Sequence, residues 1–324
     1  MRFIVANYGT RHAGMLLAHL HSIAETHPQA QVAVYWQDIP APLIGAIRAA
    51  FPAVDFIETD FDFDAHPLQR ISSKVLCWAR AAEEHSGDLV FADSDTLIRR
   101  DLSAFFAAGD DLVFTTKPAE RVPLNTGVLL ARSGPATSAF FRAWREATLH
   151  ILQTPELFQQ ANDQSLPYGG TDQMSLIQLL DYEAARTRYT LSLDGLEIRL
   201  RAEPCALLNE TNSRPLSGSG DTICVVHYKA GWQSILLSGR PFSRFRPRVA
   251  SWEMFVFFME TFAAALARLN AASSTQYTPH DLGIQWPWYY REGRFFWPGY
   301  VAWRGKEAAK RAWLAATGRL KAGQ

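Results

Sequence analysis

The sequence has little cysteine and no excess of either charge. Its only cysteines are Cys77, Cys205 and Cys224, an odd number with no two closely spaced. Neither a disulfide framework nor a cysteine-based zinc site can organise such a chain. Cys77 and Cys224 stand in apolar surroundings and are expected to be buried thiols, which suits a reducing cytoplasm. Lys plus Arg amounts to 32 and Asp plus Glu to 32. That balance argues against a nucleic-acid binder, which normally carries a basic excess. Long uninterrupted apolar runs are missing too. The opening Met-Arg-Phe-Ile-Val-Ala-Asn-Tyr-Gly is too short an apolar stretch for a signal peptide. The most apolar later stretch, 252–269, is broken by Glu253, Glu260 and Arg268, so no membrane span is expected there. Internal repeats and low-complexity tracts are absent from the sequence.

What remains is a chain of 324 residues, 48% of them hydrophobic. That is enough for one large core or two smaller ones. Apolar runs of strand length at 3–6, 32–36, 54–58 and 88–92 alternate with helix-like periodicity at 13–25, 42–51 and 72–84. Leu16, Leu17, Leu20, Ile23 and Ala24 share one helical face, and Pro42 stands where a first turn tolerates it. Alternation of this kind predicts a parallel sheet covered on both faces, with ligands beyond the carboxyl ends of the strands. The second half is less regular. Strands are expected at 112–115, 127–131 and 223–226, and helices at 136–149 and at 171–180 with Thr171 as cap. Residues 204–220, rich in Asn, Ser, Gly and Pro, read as a long loop, and 252–270 as a helix.

Chemistry concentrates after the fourth strand, at Asp93-Ser94-Asp95. Two carboxylates at i and i+2 beyond a buried strand can converge on one hard cation, which would neutralise a diphosphate leaving group. Alone, the tripeptide reads equally well as a solvated turn. Farther along come Asn125-Thr126-Gly127-Val128, then Gly170-Thr171-Asp172-Gln173, then His227 after an apolar strand. Taken in that order, residues 1 to 240 resemble the GT-A nucleotide-diphospho-sugar transferases, and most closely the family 8 retaining glycosyltransferases.

The resemblance implies an α/β, Rossmann-like fold with a mixed, mostly parallel sheet flanked by helices. It places a catalytic domain over 1–250 and a helical and aromatic extension over 251–324. It further implies Asp93, Asp95 and His227 as ligands of Mn²⁺, or of Mg²⁺, the mixed oxygen and nitrogen set favouring the former. Asn7, Tyr8 and Gly9, after the first strand, would meet the nucleoside of a UDP-sugar donor. Lys74 and Ser94 would reach the donor as well, and Asn125, Asp172 and Gln173 would lie beside the transferred sugar. Similar enzymes follow the histidine with a glycine and a Lys-Pro-Trp that contacts phosphate. This chain instead has His227-Tyr228-Lys229-Ala230-Gly231-Trp232, leaving Lys229 as the candidate for that charge. Retention of anomeric configuration is the corresponding expectation. The acceptor, whether glycan, lipid-linked or protein, is not written in the sequence.

Rival readings stay open at this level. Asp93-x-Asp95 also resembles the start of haloacid-dehalogenase-like phosphatases, with the first Asp as nucleophile. Those enzymes place Thr or Val four residues on, where this chain has Leu97. A sugar nucleotidyltransferase would share the architecture, but Asn7-Tyr8-Gly9-Thr10-Arg11 lacks its glycine-rich loop. A binding module without catalysis is the third. At the far end, Trp286, Trp288, Trp297, Tyr300 and Trp303 precede Lys306, Lys310, Arg311, Arg319 and Lys321. A basic, aromatic segment of this kind suits either a cover for the domain or peripheral contact with the inner face of a membrane.

Overall fold

The computed structural model describes residues 1–66, 68–117, 122–163, 165, 166, 168–211, 222–229, 231–238 and 251–285, with the backbone of 290, 291, 294 and 295. The first half alternates as the pattern predicts. In chain order it runs β1 (Arg2–Tyr8), α1 (Ala13–Thr26), β2 (Gln31–Gln37), α2 (Ala41–Ala50), β3 (Val54–Glu58), α3 (Gln69–Glu84) and β4 (Asp88–Asp93). Then come β5 (Thr96–Ile98), β6 (Leu112–Thr116), β7 (Leu124–Arg132), α4 (Pro135–Gln153), α5 (Pro155–Asn162) and α6 (Thr171–Leu180). The chain goes on through β8 (Arg188–Leu193), β9 (Leu196–Pro204), α7 (Cys205–Leu208), β10 (Val225–His227), α8 (Gly231–Leu236) and α9 (Ser251–Ala272).

Eight strands form one sheet in the order β3-β2-β1-β4-β7-β6-β9-β8. Four of its pairings are parallel and three antiparallel, the first reversal falling between β4 and β7. The sheet is therefore mixed. Inner strands bury both faces, which is why β1 and β4 read as continuous apolar runs rather than as alternation. On one face Phe3, Val5, Val90 and Val128 pack with α1, α2 and α9. On the other Ile4, Tyr35, Phe91 and Leu129 pack with α3, α4 and α6, around Trp78, Phe141 and Trp144.

Several elements depart from the sequence reading. Strands β8 and β9 form a hairpin across Asp194 and Gly195, both at positive φ. These are the two-residue turn conformations that match strand twist. Residues 205–208 of the expected loop form α7, and the strand expected at 223–226 is β10, shifted to Val225–His227. The cap of α6 is Gly170 rather than Thr171, whose buried hydroxyl finds no partner among the described residues. All three cysteines are free and buried.

Helix α9 puts Met254, Phe255, Phe258, Met259, Phe262, Ala265 and Leu269 on one buried face. It packs that face on α1 and α2. By length and composition Met254–Ala272 could cross a membrane; here its apolar stripe is part of the core. The aromatic and basic tail beyond 285 falls outside the described residues, apart from the short backbone pairing of Tyr290–Arg291 with Arg294–Phe295.

Candidate active site

Strand β4 delivers Asp93 at its carboxyl end, and the turn that follows delivers Asp95. Strand β10 pairs antiparallel with β5 and sets His227 opposite Thr96, beside that turn. The carboxylate and imidazole atoms of Asp93, Asp95 and His227 all lie within 4.8 Å of one another. His227 Nε2 is 3.1 Å from Asp95 Oδ1 and 3.7 Å from Asp93 Oδ2. Residues more than 130 positions apart thus meet where the sequence reading put them together.

The imidazole is fixed from behind. Asn209 donates its Nδ2 hydrogens to the Asn125 carbonyl at 3.2 Å and to Thr115 Oγ1 at 3.0 Å. Its Oδ1 must then be the acceptor for His227 Nδ1, at 2.8 Å. Held in this way, the ring turns Nε2 toward the two carboxylates. Close packing does the rest. A Cβ on Gly127 would stand 2.4 Å from the His227 ring, so only glycine fits there. Asn209 is fully buried and lies in the stretch read as a loop. Its role has no local sequence signal, because it depends on a strand more than eighty residues away.

The opposite side of Asp93 is held by Lys74, which stands just past a kink in α3 at Ser72. Its Nζ lies 3.0 Å from Asp93 Oδ1 and 3.0 Å from Asp172 Oδ2, and donates to Thr126 Oγ1 at 3.1 Å. Thr126 in turn donates to Asp172 Oδ2. Because β7 runs antiparallel to β4, with Ala92 opposite Val128, its first residues reach the carboxyl end of β4. That reversal is what carries Asn125, Thr126 and Gly127 to Asp93. Burial disfavours the charge on Lys74, but Asp172 and Asp93 outweigh it and hold the ammonium above its ordinary value. Burial likewise works against the Asp172 carboxylate, and Lys74 and Thr126 overcome it, so Asp172 titrates below the usual range.

The two carboxylates among the metal-ligand candidates differ in the same way. Burial opposes the charge on Asp95, yet His227 and the Gln233 amide, which donates to Oδ2 at 2.8 Å, pull its carboxyl below the ordinary value. For Asp93 burial prevails over Lys74 and raises the carboxyl. Gln233, on α8, was missed by the sequence reading.

The remaining candidates surround this centre. Strand β1 pairs with β4 so that Ala6 is level with Asp93, which brings Asn7, Tyr8 and Gly9 to the same edge. Tyr8 OH lies 2.8 Å from Cys77 Sγ, and its ring meets Phe63 edge-on at 5.4 Å. Ser94 is half-buried between the aspartates. Lys229, two residues past His227, is half-buried. Burial, then the nearby Lys117, lowers its affinity for a proton. Gln173 donates to the Gly169 carbonyl at 3.3 Å. Three buried polar atoms in this region have no partner among the described residues: Asn7 Oδ1, Asn125 Nδ2 and Gln173 Oε1. Buried polar groups are rarely left so, and all three belong to residues singled out from the sequence.

No family model matches this sequence, and no curated protein matches it. Solved structures do resemble the fold. One is the glycosyltransferase GlyE in Streptococcus pneumoniae TIGR4, at a TM-score of 0.51 and 15% identity over 85% of this chain. The chain spans only 65% of the length of that protein. Another is the galactosyltransferase LgtC in complex with donor and acceptor sugar analogues. There the TM-score is 0.52 at 15% identity, covering 82% of this chain and 96% of that one. At such identities the likeness is one of fold, and the fold is the GT-A type.

Proposed function

We propose that the protein is a glycosyltransferase that takes a sugar from a nucleoside-diphosphate donor, with UDP-sugars the first candidates, in the presence of a divalent cation. The observation that carries this reading is the convergence of Asp93, Asp95 and His227 at the carboxyl end of β4 in a GT-A fold. Their separations approach what ligands of one ion with bonds of ~2.2 Å can span, and the set presents two carboxylates with an imidazole already oriented by Asn209. A mixed oxygen and nitrogen set of this kind favours Mn²⁺ over Mg²⁺. When bound, the ion would neutralise charge on the diphosphate.

The chain's own groups supply position and charge. The end of β1 would receive the nucleoside, with Asn7 Oδ1 as a free acceptor and Tyr8 as an aromatic wall. The Asn125 amide and the Gln173 carbonyl would meet sugar hydroxyls, one as donor and one as acceptor, and so fix the reacting carbon. Lys74 holds Asp172 and Asp93 in place while keeping its own charge. In the transfer, the acceptor oxygen bonds to the anomeric carbon and its proton passes to the departing phosphate oxygen. The bond from that carbon to the phosphate oxygen breaks, and the electron pair leaves with the nucleoside diphosphate. Retention of configuration is proposed on the motif order alone.

A thermal-shift screen of UDP, GDP and ADP with and without Mn²⁺ is the first test, since binding to the folded state raises its apparent stability. UDP is expected to raise Tm only with Mn²⁺. Asp95→Ala is expected to lower turnover of a UDP-sugar by at least about 100-fold, the usual scale for removing a direct charge contact in a transition state. Undiminished turnover in Asp95→Ala, or hydrolysis of p-nitrophenyl phosphate without nucleotide binding, would overturn the reading.

A further inference from the structure

Helix α1 carries two polar side chains, His19 and Ser22, into the core, and both are buried. Both reach β5. His19 Nδ1 lies 2.7 Å from the Thr96 carbonyl. A carbonyl only accepts, so Nδ1 carries the hydrogen. Ser22 Oγ donates to the His19 carbonyl at 2.7 Å and receives the Ile98 amide at 3.0 Å. Strand β5 pairs with β10 alone among the described residues. In an antiparallel pair the backbone groups of alternate residues turn toward the partner. The Asp95 carbonyl and the Arg99 amide do so, meeting the Tyr228 amide at 2.8 Å and the Cys224 carbonyl at 2.7 Å. Thr96 and Ile98, one place on from each in turn, face the other way. Side chains of a helix thus close the second edge of β5, where a third strand would otherwise lie.

Thr96 is tied to each of the three candidate ligands. It follows Asp95 directly, its Oγ1 donates to the Asp93 carbonyl at 2.8 Å, and it stands opposite His227 in the ladder. Whatever fixes Thr96 fixes the spacing of all three. Resting on the divalent-cation reading of the site, we infer that His19 is a positioning residue for the metal seat. Its hydrogen bond to Thr96 sets the acidic turn against β10, and Ser22 is the second anchor. An imidazole is a costly filling for a core. Its Nε2 finds no partner among the described residues, and buried polar groups are rarely left so. An aliphatic side chain would remove that cost, but it would deprive the Thr96 carbonyl of this donor. Thr96 is fully buried, so bulk water cannot take the donor's place, and an unmet carbonyl in the interior is destabilising. Ligands held in place before the ion arrives need less ordering when it binds.

The test is Mn²⁺ titration of the full chain by electron paramagnetic resonance, with urea midpoints measured beside it. Loss of a group that touches a metal ligand typically lowers affinity about 10- to 100-fold. His19 acts one hydrogen bond farther from the ion, so His19→Leu is expected to weaken Mn²⁺ about five-fold. His19→Asn keeps an N–H at the same distance along the side chain and should stay within about two-fold of the native chain. Leu20→Ala, a core change on the same helix, is the control. It should lower the urea midpoint and leave Mn²⁺ affinity within about two-fold. Unchanged affinity in His19→Leu overturns the inference. So does an equal weakening in Leu20→Ala, because general loosening of α1 would then account for the effect. Ser22→Ala removes the second anchor with a smaller change of volume and should weaken Mn²⁺ at least about two-fold. Should His19→Leu fail to fold, Ser22→Ala decides, and unchanged affinity there overturns the inference. Absence of Mn²⁺ binding in the native chain would instead overturn the divalent-cation reading, and this inference with it.

Discussion

Asn209 decides which nitrogen of His227 faces the carboxylates, and a leucine there would leave the ring free to turn. Loss of such an outer partner typically costs 10- to 100-fold in metal affinity. Mn²⁺ titration followed by electron paramagnetic resonance should show about that loss for Asn209→Leu, with most of it restored in Asn209→Asp, whose oxygen can still accept from Nδ1. A second single-residue effect concerns His19 on α1. It is fully buried, with Nδ1 2.7 Å from the Thr96 carbonyl and Nε2 without a partner among the described residues. Burial lowers its pKa from 6.5 to about 4, against the pull of the Thr96 carbonyl and Asp95. The folded protein therefore prefers the neutral ring. That contribution is whole above pH 6.5 and is lost as the pH falls toward 4, about 3 kcal/mol at 1.36 kcal/mol per unit. Urea unfolding at pH 7, 5.5 and 4 should show it, and His19→Gln should flatten the decline by that amount. An unchanged pH profile in the variant would count against this account.

Among the elements, what could be read in advance was what local chemistry announces. Asp93-Ser94-Asp95 follows an apolar run, and the helices α1, α3 and α4 show their buried stripes in their spacing. The hairpin of β8 and β9 went unread, because its short, half-polar strands lack an apolar run, although Asp194-Gly195 is a hairpin-turn pair. At Gly195, φ is 77°. A β-branched residue in that region costs roughly 1–2 kcal/mol, so Gly195→Val should lower stability by that much in denaturant melts and leave Mn²⁺ affinity untouched. Other features had no local signal. Asn209 sits among residues whose composition says loop, and Gly127 looks like any strand glycine until His227 lies against it. The reversal of β7 against β4 is likewise invisible in a pattern of alternating elements, yet it is what delivers Thr126 to Lys74. Contacts made between segments distant in sequence leave no trace in either one alone.

At the scale of the whole molecule the sheet separates two cores, and α9 belongs to the one that lies beneath α1 and α2. Phe258 is almost fully buried there, with Tyr228 at 5.1 Å and Phe262 stacked at 6.1 Å. Removing such a ring leaves a cavity, and Phe258→Ala is expected to cost about 3–5 kcal/mol. Urea midpoints would measure it, and a loss below 1 kcal/mol would mean that α9 is not integral to this core. The same helix reaches toward the acidic turn, since its Met254 carbonyl receives the Tyr228 hydroxyl at 2.7 Å, next to His227.

Past α9 the chain returns to the edge of the sheet where β1 ends. Gly283 lies so close to the Arg11 carbonyl that an added Cβ would stand 2.4 Å from it, and Ile284 fills the space above Gly14. The Gln285 amide then ties back to the Leu236 carbonyl at 2.7 Å. Whatever grips the chain beyond that point holds a lever whose fulcrum rests on the bend between β1 and α1. A displacement at Gln285 would be felt both at Arg11 and Gly14, beside the end of β1, and in α8, whose Gln233 holds Asp95.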